Sequence, residues 1–331
     1  WINLWLISIY LLITLMIVVG GLTRLTDSGL SITKWELFKG VFPPLNDADW
    51  EDYFSQYKKI PEFIYLNNNI TMSEFKVIFY WEYFHRLLGR FIGIVTFLPL
   101  LFFIYKFKDE KISLKKYFSI FFLVCLQGFV GWYMVESGLT ERVDVSHYRL
   151  ALHLLLAFII LSVTFWFILQ LSNVKTFDKK IPNFVIVSLF FLLITQIIFG
   201  AFLAGLDGGL IYNTWPSMNG YFFPDDVALV NIYTREFLDT PSIIQFLHRK
   251  FAYLLCFVII YFNYIYFKNN LPIKPILVFD IIVIFQIILG IVTLVSGAKI
   301  IYASLHQFGS IFVVSSLLYI AYKNTKLTNS F

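Results

Sequence analysis

Eight stretches of this chain are apolar enough, and long enough, to cross a membrane as helices. They lie near 3–21, 79–105, 117–136, 149–170, 182–204, 244–267, 274–295 and 302–322. A hydrocarbon core about 30 Å thick needs about 20 such residues per helix. Only 14% of the residues are charged and 59% are hydrophobic, whereas soluble domains carry roughly 25% charged residues. The expected fold is therefore an all-α integral membrane protein with eight transmembrane helices.

The connections alternate in charge. Lys106, Lys108, Lys111, Lys115 and Lys116 share one loop, Lys175, Lys179 and Lys180 a second, Lys268 and Lys274 a third, and Lys323 and Lys326 lie in the tail. The opposite short loops hold Arg142 and Lys299. The excess of lysine predicts that both termini face the cytoplasm or matrix. The long connections 22–78 and 205–243 then face the periplasm or intermembrane space. Asp47, Asp49, Trp50, Glu51, Asp52, Tyr53 and Phe54 predict a short amphipathic helix lying on the membrane surface. The net charge of +5 is an orientation signal; no basic stripe with exposed aromatics points to nucleic acid. Cys125 and Cys256 sit inside apolar segments and imply no disulfide chemistry. Residue 1 is Trp rather than Met, so a native start upstream stays open.

The chain repeats itself. Asp27-Ser28-Gly29-Leu30 and Trp35 recur 180 positions later as Asp207-Gly208-Gly209-Leu210 and Trp215. Phe84-His85-Arg86 recurs as Leu247-His248-Arg249, and Leu152-His153 as Leu305-His306. A Gln-x-x-x-Gly signature closes three segments, at Gln127/Gly131, Gln196/Gly200 and Gln286/Gly290. Two tandem, pseudo-symmetric four-helix bundles are expected, residues 1–172 and 173–331, related by an axis along the membrane normal.

His85, His153, His248 and His306 each fall within the first two turns of an even-numbered predicted helix, near the outer face. Two histidines facing each other across a helical bundle hold haem iron axially, so two bis-histidine haem sites are expected. The chain lacks an HExxH motif, a histidine-dense box, and a Cys or Asp recurring beside the histidines, so zinc and di-iron sites fit less well. His147, in the short loop before the fourth segment, reads as a solvated residue. Arg24, Arg86, Arg90, Arg149 and Arg249 lie near the same outer interface. Arg24, Arg86, Arg90 and Arg249 are candidates to pair with haem carboxylates, although long cationic side chains also snorkel there. Glu82 stands one helical turn from His85, while the equivalent position in the repeat is Gln245. That asymmetry predicts one haem that is worked on and one that carries electrons.

These residues resemble the haem A synthase family, in its mitochondrial and alphaproteobacterial form, along nearly the whole chain. The resemblance rests on Gly20-Gly21-Leu22-Thr23-Arg24-Leu25-Thr26, Ser28-Gly29-Leu30-Ser31 and Gly40-Val41-Phe42-Pro43-Pro44-Leu45. It continues through Glu74-Phe75-Lys76, Trp81-Glu82-Tyr83-Phe84-His85-Arg86 and Ala204-Gly205-Leu206-Asp207. Asn213-Thr214-Trp215-Pro216-Ser217-Met218-Asn219-Gly220, Leu247-His248-Arg249 and Leu305-His306 complete it.

The resemblance implies conversion of haem O to haem A for terminal oxidases. A ring methyl is hydroxylated twice with oxygen from water, and the geminal diol loses water to leave a formyl group. It assigns His85 and His153 to the substrate haem, and His248 and His306 to a permanent haem b. Glu82 becomes the catalytic acid, as a general base or as stabiliser of a developing cation. Haem O synthase and oxidase assembly factors are implied as partners, in a bacterial cell membrane or mitochondrial inner membrane, with a homo-oligomer open. Many bacterial relatives carry a cysteine pair in the first outer loop; residues 22–78 contain none, which leaves the electron acceptor unassigned. The rivals are a di-haem b-type cytochrome that oxidises quinol and a haem transporter or assembly factor without chemistry. Neither rival needs Glu82.

Overall fold

The computed structural model describes residues 1–36, 39–108, 114–140, 142–227, 234 and 236–325. Lys111 and Lys326 of the charge pattern lie outside the described residues. Those described form helices and short 3₁₀ turns, with one isolated β-bridge between Met218 and Tyr221.

Eight helices are long and apolar enough to span a bilayer. They are α1 (Ile2–Leu25), α4 (Met72–Lys106), α5 (Phe118–Glu136), α6 (His147–Leu171), α7 (Asn183–Gly205), α8 (Pro241–Lys268), α9 (Ile273–Val295) and α10 (Ile300–Lys323). This is a multi-pass membrane protein. In hydrocarbon every backbone N–H and C=O needs an internal partner, which uninterrupted helices supply. The chain divides into two compact units, Trp1–Leu161 and Ser162–Phe331. Within the first, α1 packs on α4 and α4 on α5; within the second, α7 packs on α8 and α9 on α10.

Sequence and structure differ most at α4. It begins at Met72, ahead of the apolar run expected from 79. A capping box explains the early start: the Glu74 amide donates to Thr71 Oγ1 at 3.3 Å, and the Thr71 amide donates to Glu74 Oε2 at 2.9 Å. The helix therefore projects beyond its apolar portion, and His85 lies well past its first two turns. Two further helices, α2 (Asp47–Tyr57) and α3 (Pro61–Tyr65), lie in the same connection. Helix α2 turns Trp50, Phe54 and Tyr57 onto Phe75, Phe79 and Tyr83 of the α4 projection. Phe54 stacks on Phe75 at 4.9 Å and Trp50 meets Phe79 edge-on at 4.9 Å. The amphipathic helix exists, but protein rather than lipid covers its apolar face.

In the second unit the 172–181 connection is tied to the end of α10. Asn324 accepts from the Ile181 amide at 2.7 Å and donates to its carbonyl at 2.9 Å, while the Phe177 amide donates to the Lys323 carbonyl at 2.6 Å.

Beside the aromatic cluster of the first unit lies a buried carboxyl group, Glu62, 5% exposed. Tyr57 donates to its Oε1 at 2.9 Å, and Asn67 Nδ2 donates to the same oxygen at 3.2 Å and to the Tyr57 hydroxyl at 2.8 Å. Burial raises the Glu62 pKa to about 8, against the hydrogen bond from Tyr57 and with help from the charges of Glu82, Asp144 and Asp27. A folded-state value above the ordinary 4.5 means that the native protein holds the proton more tightly than the unfolded chain. This contribution to stability is complete below pH 4.5, declines as pH rises through the window, and is gone above about pH 8. Replacing Glu62 by Gln should therefore raise the apparent melting temperature more at pH 9 than at pH 5. Equal shifts at the two pH values, measured by thermal unfolding in detergent, would show that Glu62 is ionised throughout.

Candidate functional site

The four histidines expected as ligands come together in two pairs, one in each unit. The rings of His85 on α4 and His153 on α6 have centroids 6.3 Å apart; those of His248 on α8 and His306 on α10 are 6.5 Å apart. Two imidazoles on opposite sides of one metal ion should show about 6 Å, from two metal–nitrogen bonds of about 2 Å and about 1.1 Å from each nitrogen to its centroid. The Nδ1 atoms of His153, His248 and His306 are buried and make no hydrogen bond among the described residues. A neutral imidazole has one donor and one acceptor nitrogen, and leaving one unpaired in an apolar interior costs about 1–3 kcal/mol. Each pair thus has the spacing of two imidazoles across one metal ion, and three of the four rings keep a buried Nδ1 with no hydrogen bond among the described residues.

The Gln-x-x-x-Gly signature accounts for how the rings reach these positions. A Cβ added at Gly131 would stand 3.0 Å from Cε1 of His153, one at Gly200 3.3 Å from His248, and one at Gly290 2.9 Å from His306. In α1, Gly20 does the same for His85 at 3.0 Å. Every imidazole of the quartet lies on a helix that offers no side chain at that level. The glutamines hold the other helix of each pair in register. Nε2 of Gln127, Gln196 and Gln286 donates to the carbonyl of His153, His248 and His306 at 3.0, 3.0 and 2.9 Å. In α1 the residue four before the glycine is Met16, whose methyl instead approaches Gly89.

Glu82 is 3% exposed and has both oxygens occupied. Oε1 accepts from Arg86 Nε at 3.0 Å and Nη2 at 2.6 Å; Oε2 accepts from the Ile32 amide at 2.7 Å and the Ser31 hydroxyl at 2.8 Å. Arg86 goes on to the carbonyls of Ile32 and Lys34, at 2.8 and 3.0 Å, and lies over the Trp35 ring at 5.2 Å. One turn further along α4, Arg90 donates to the Glu36 carbonyl at 2.8 Å. Glu82, Arg86 and Arg90 form a stripe at i, i+4 and i+8 that fastens the connection after α1 along α4.

The second unit repeats this fastening, with the loop residues 180 positions on and the helix residues 163 positions on. Arg249 donates to the carbonyls of Tyr212 and Thr214, both at 2.8 Å, and to Gln245 Oε1 at 3.2 Å. Gln245 Nε2 donates to the carbonyls of Gly208 and Tyr212, at 3.0 and 3.1 Å. The Glu82/Gln245 asymmetry therefore has a local counterpart: the loop presents an N–H and a hydroxyl to the carboxylate, and two carbonyls to the amide. A carboxylate could not serve in the second unit, because it has no proton to donate to those carbonyls.

The arginines expected to meet haem carboxylates thus make these loop contacts. Arg24 pairs with Asp27, three residues along, which adopts the left-handed conformation at φ 48° as Asp207 does at 50°. Arg249 Nε is buried without a hydrogen-bond partner among the described residues. Arg149 lies over the Tyr133 ring at 4.8 Å. His147 corrects the sequence reading: it is 2% exposed, opens α6 and meets the Tyr148 ring at 4.0 Å. The helix begins earlier than the apolar run, which draws His147 into its first turn. Sequence reasoning also passed over Ser31. The constant 180-residue offset was the available signal, since it sets Ser31 opposite Ile211 and Ile32 opposite Tyr212.

The profile of the cytochrome oxidase assembly protein family (COX15-CtaA) matches residues 3–318. A relative from Pelagibacter ubique named "Heme A synthase" is 58% identical over 98% of this chain and 97% of its own length. Proteins of that name from Flavobacterium johnsoniae and Rickettsia bellii are 40% and 38% identical, over 98% and 95% of this chain and 97% and 96% of theirs. None of these likenesses supports a plain di-haem electron carrier. Matched from end to end, with four histidines paired in its interior, this chain belongs to the COX15-CtaA family of cytochrome oxidase assembly proteins.

Proposed function

We propose that the protein is a haem A synthase, which oxidises a ring methyl of haem O to a formyl group by two hydroxylations with water-derived oxygen. Each hydroxylation passes two electrons to an external acceptor and releases two protons, and the geminal diol then loses water. The observation that carries this reading is the full-length likeness to relatives named for that activity, in a chain whose own imidazole pairs have the spacing of axial haem ligands. The unit with His85 and His153, within residues 1–172, takes the substrate, because the acidic residue stands there. His248 and His306, within residues 173–331, hold a permanent haem b. The two halves are read as tandem pseudo-symmetric four-helix bundles, with the outer connections in the periplasm or intermembrane space and both termini in the cytoplasm or matrix. Haem O synthase and oxidase assembly factors are the partners that a shared intermediate implies.

When bound, haem b supplies one-electron redox chemistry; the protein supplies the geometry. His85 and His153 orient the substrate from its two faces. Glu82 is a fixed negative charge one helical turn from His85, ion-paired to Arg86. It favours positive charge developing at the methyl carbon or serves as general base towards the attacking water. Arg249, with its unpaired Nε, is the first candidate for a haem carboxylate, with Arg24, Arg86 and Arg90 at the corresponding outer level of the first unit.

For Glu82→Gln, haem binding should persist while haem A formation falls by about 10²-fold, the scale of a lost electrostatic stabiliser. Wild-type haem A output, measured by chromatography of extracted haems after co-expression with a haem O source, would remove Glu82 from the chemistry. For His248→Ala and His306→Ala the reduced-minus-oxidised spectrum should lose haem b; unchanged haem b content would reverse the assignment of the two halves. Gly290→Val should do the same by steric means, since overpacking at such a contact costs about 1–3 kcal/mol, whereas Gly131→Val should spare haem b and lower haem O conversion.

A further inference from the structure

We propose that Ser31 is a positioning residue for the oxidation, holding the Glu82 carboxylate in one orientation beside the substrate site; this rests on the reading of Glu82 given above. Ser31 is 1% exposed, and its Oγ lies 2.8 Å from Glu82 Oε2, 3.1 Å from the Ser28 carbonyl and 3.3 Å from the Ile78 carbonyl. A hydroxyl has one proton to give. The carboxylate is both the nearest of the three acceptors and the one that makes a charge-assisted bond, so the proton goes to Glu82.

The repeat supplies an internal control. The position equivalent to Ser31 is Ile211, 40% exposed and without a hydroxyl, and the residue it would address is the amide Gln245. The hydroxyl is present in the unit where the partner is a carboxylate and missing in the unit where it is not. Fastening the loop does not require it, since the Arg86 and Arg249 contacts to loop carbonyls are the same in both units. What the hydroxyl adds is a second donor on Oε2 beside the Ile32 amide. With Arg86 on Oε1, the carboxylate is fixed from both sides, and a charge meant to act on a reacting carbon has to be fixed before the reaction begins.

The test uses the full-length protein carrying haem b and supplied with haem O. Ser31→Ala should lower kcat about tenfold with KM and haem b content unchanged. Ser31→Thr should restore turnover to within about twofold, and Ser31→Cys, a weaker donor of similar size, should fall between. In the Glu82→Gln background, Ser31→Ala should have no further effect, because its action passes through the carboxylate. Infrared difference spectra give a readout apart from turnover: the carboxylate band that disappears in Glu82→Gln should shift in Ser31→Ala. An unmoved band, wild-type kcat in Ser31→Ala, or a further tenfold loss in the Glu82→Gln background would overturn the role of Ser31 while leaving Glu82 in place. Wild-type turnover in Glu82→Gln would instead overturn the reading of Glu82 on which this rests.

Discussion

An imidazole can reach the space between helices only where the neighbouring helix leaves room for it. Gly20, Gly131, Gly200 and Gly290 leave that room, and a methyl at any of them would come within 2.9 to 3.3 Å of a ring carbon. Each ring of the quartet is seated against one of these four glycines. A side chain in place of any one of them would crowd the facing ring, most at Gly290 and least at Gly200. The glutamines reinforce the arrangement by bonding the carbonyls of three of the histidines themselves.

The second constraint acts where the connections after α1 and α7 lie along α4 and α8. Backbone carbonyls in a partly buried loop need donors, and Arg86 and Arg249 provide several each. The same fastening is built twice with different chemistry at its centre. In the first unit it is an ion pair, 2.6 Å between Arg86 and Glu82; in the second it is a neutral amide. A buried ion pair is weak evidence for stability, since desolvation of the two charges opposes their attraction. Retaining one in a position where the repeat manages with an amide fits a role for the charge beyond holding the loop.

Most of the helical framework was legible in the residues. Apolar length places all eight spans, because hydrocarbon leaves a backbone few options. Spacing places the histidines on even-numbered helices, and the 180-residue offset pairs the loops. The same pattern was blind beyond the apolar runs. Thr71 and Glu74 start α4 outside the hydrophobic segment, and hydropathy does not register a capping box. His147 looked solvated for the same reason: its helix starts before its apolar stretch. The face of α2 was visible as amphipathic, but its partner was not, because Phe75 read as part of a loop until α4 is extended through it.

The sequence by itself determined the class of fold, the four candidate ligands and the presence of one acid without a twin. These are properties of composition and period, and they survive without knowledge of what touches what. The tertiary structure decided that each histidine rests on a glycine, that two pairs form at 6.3 and 6.5 Å, and that Glu82 is bound on both oxygens. It also decided why Gln245 can replace the acid in the second unit: whether a loop offers an N–H or a carbonyl at a given point depends on its backbone path, and side-chain identity does not encode that path locally.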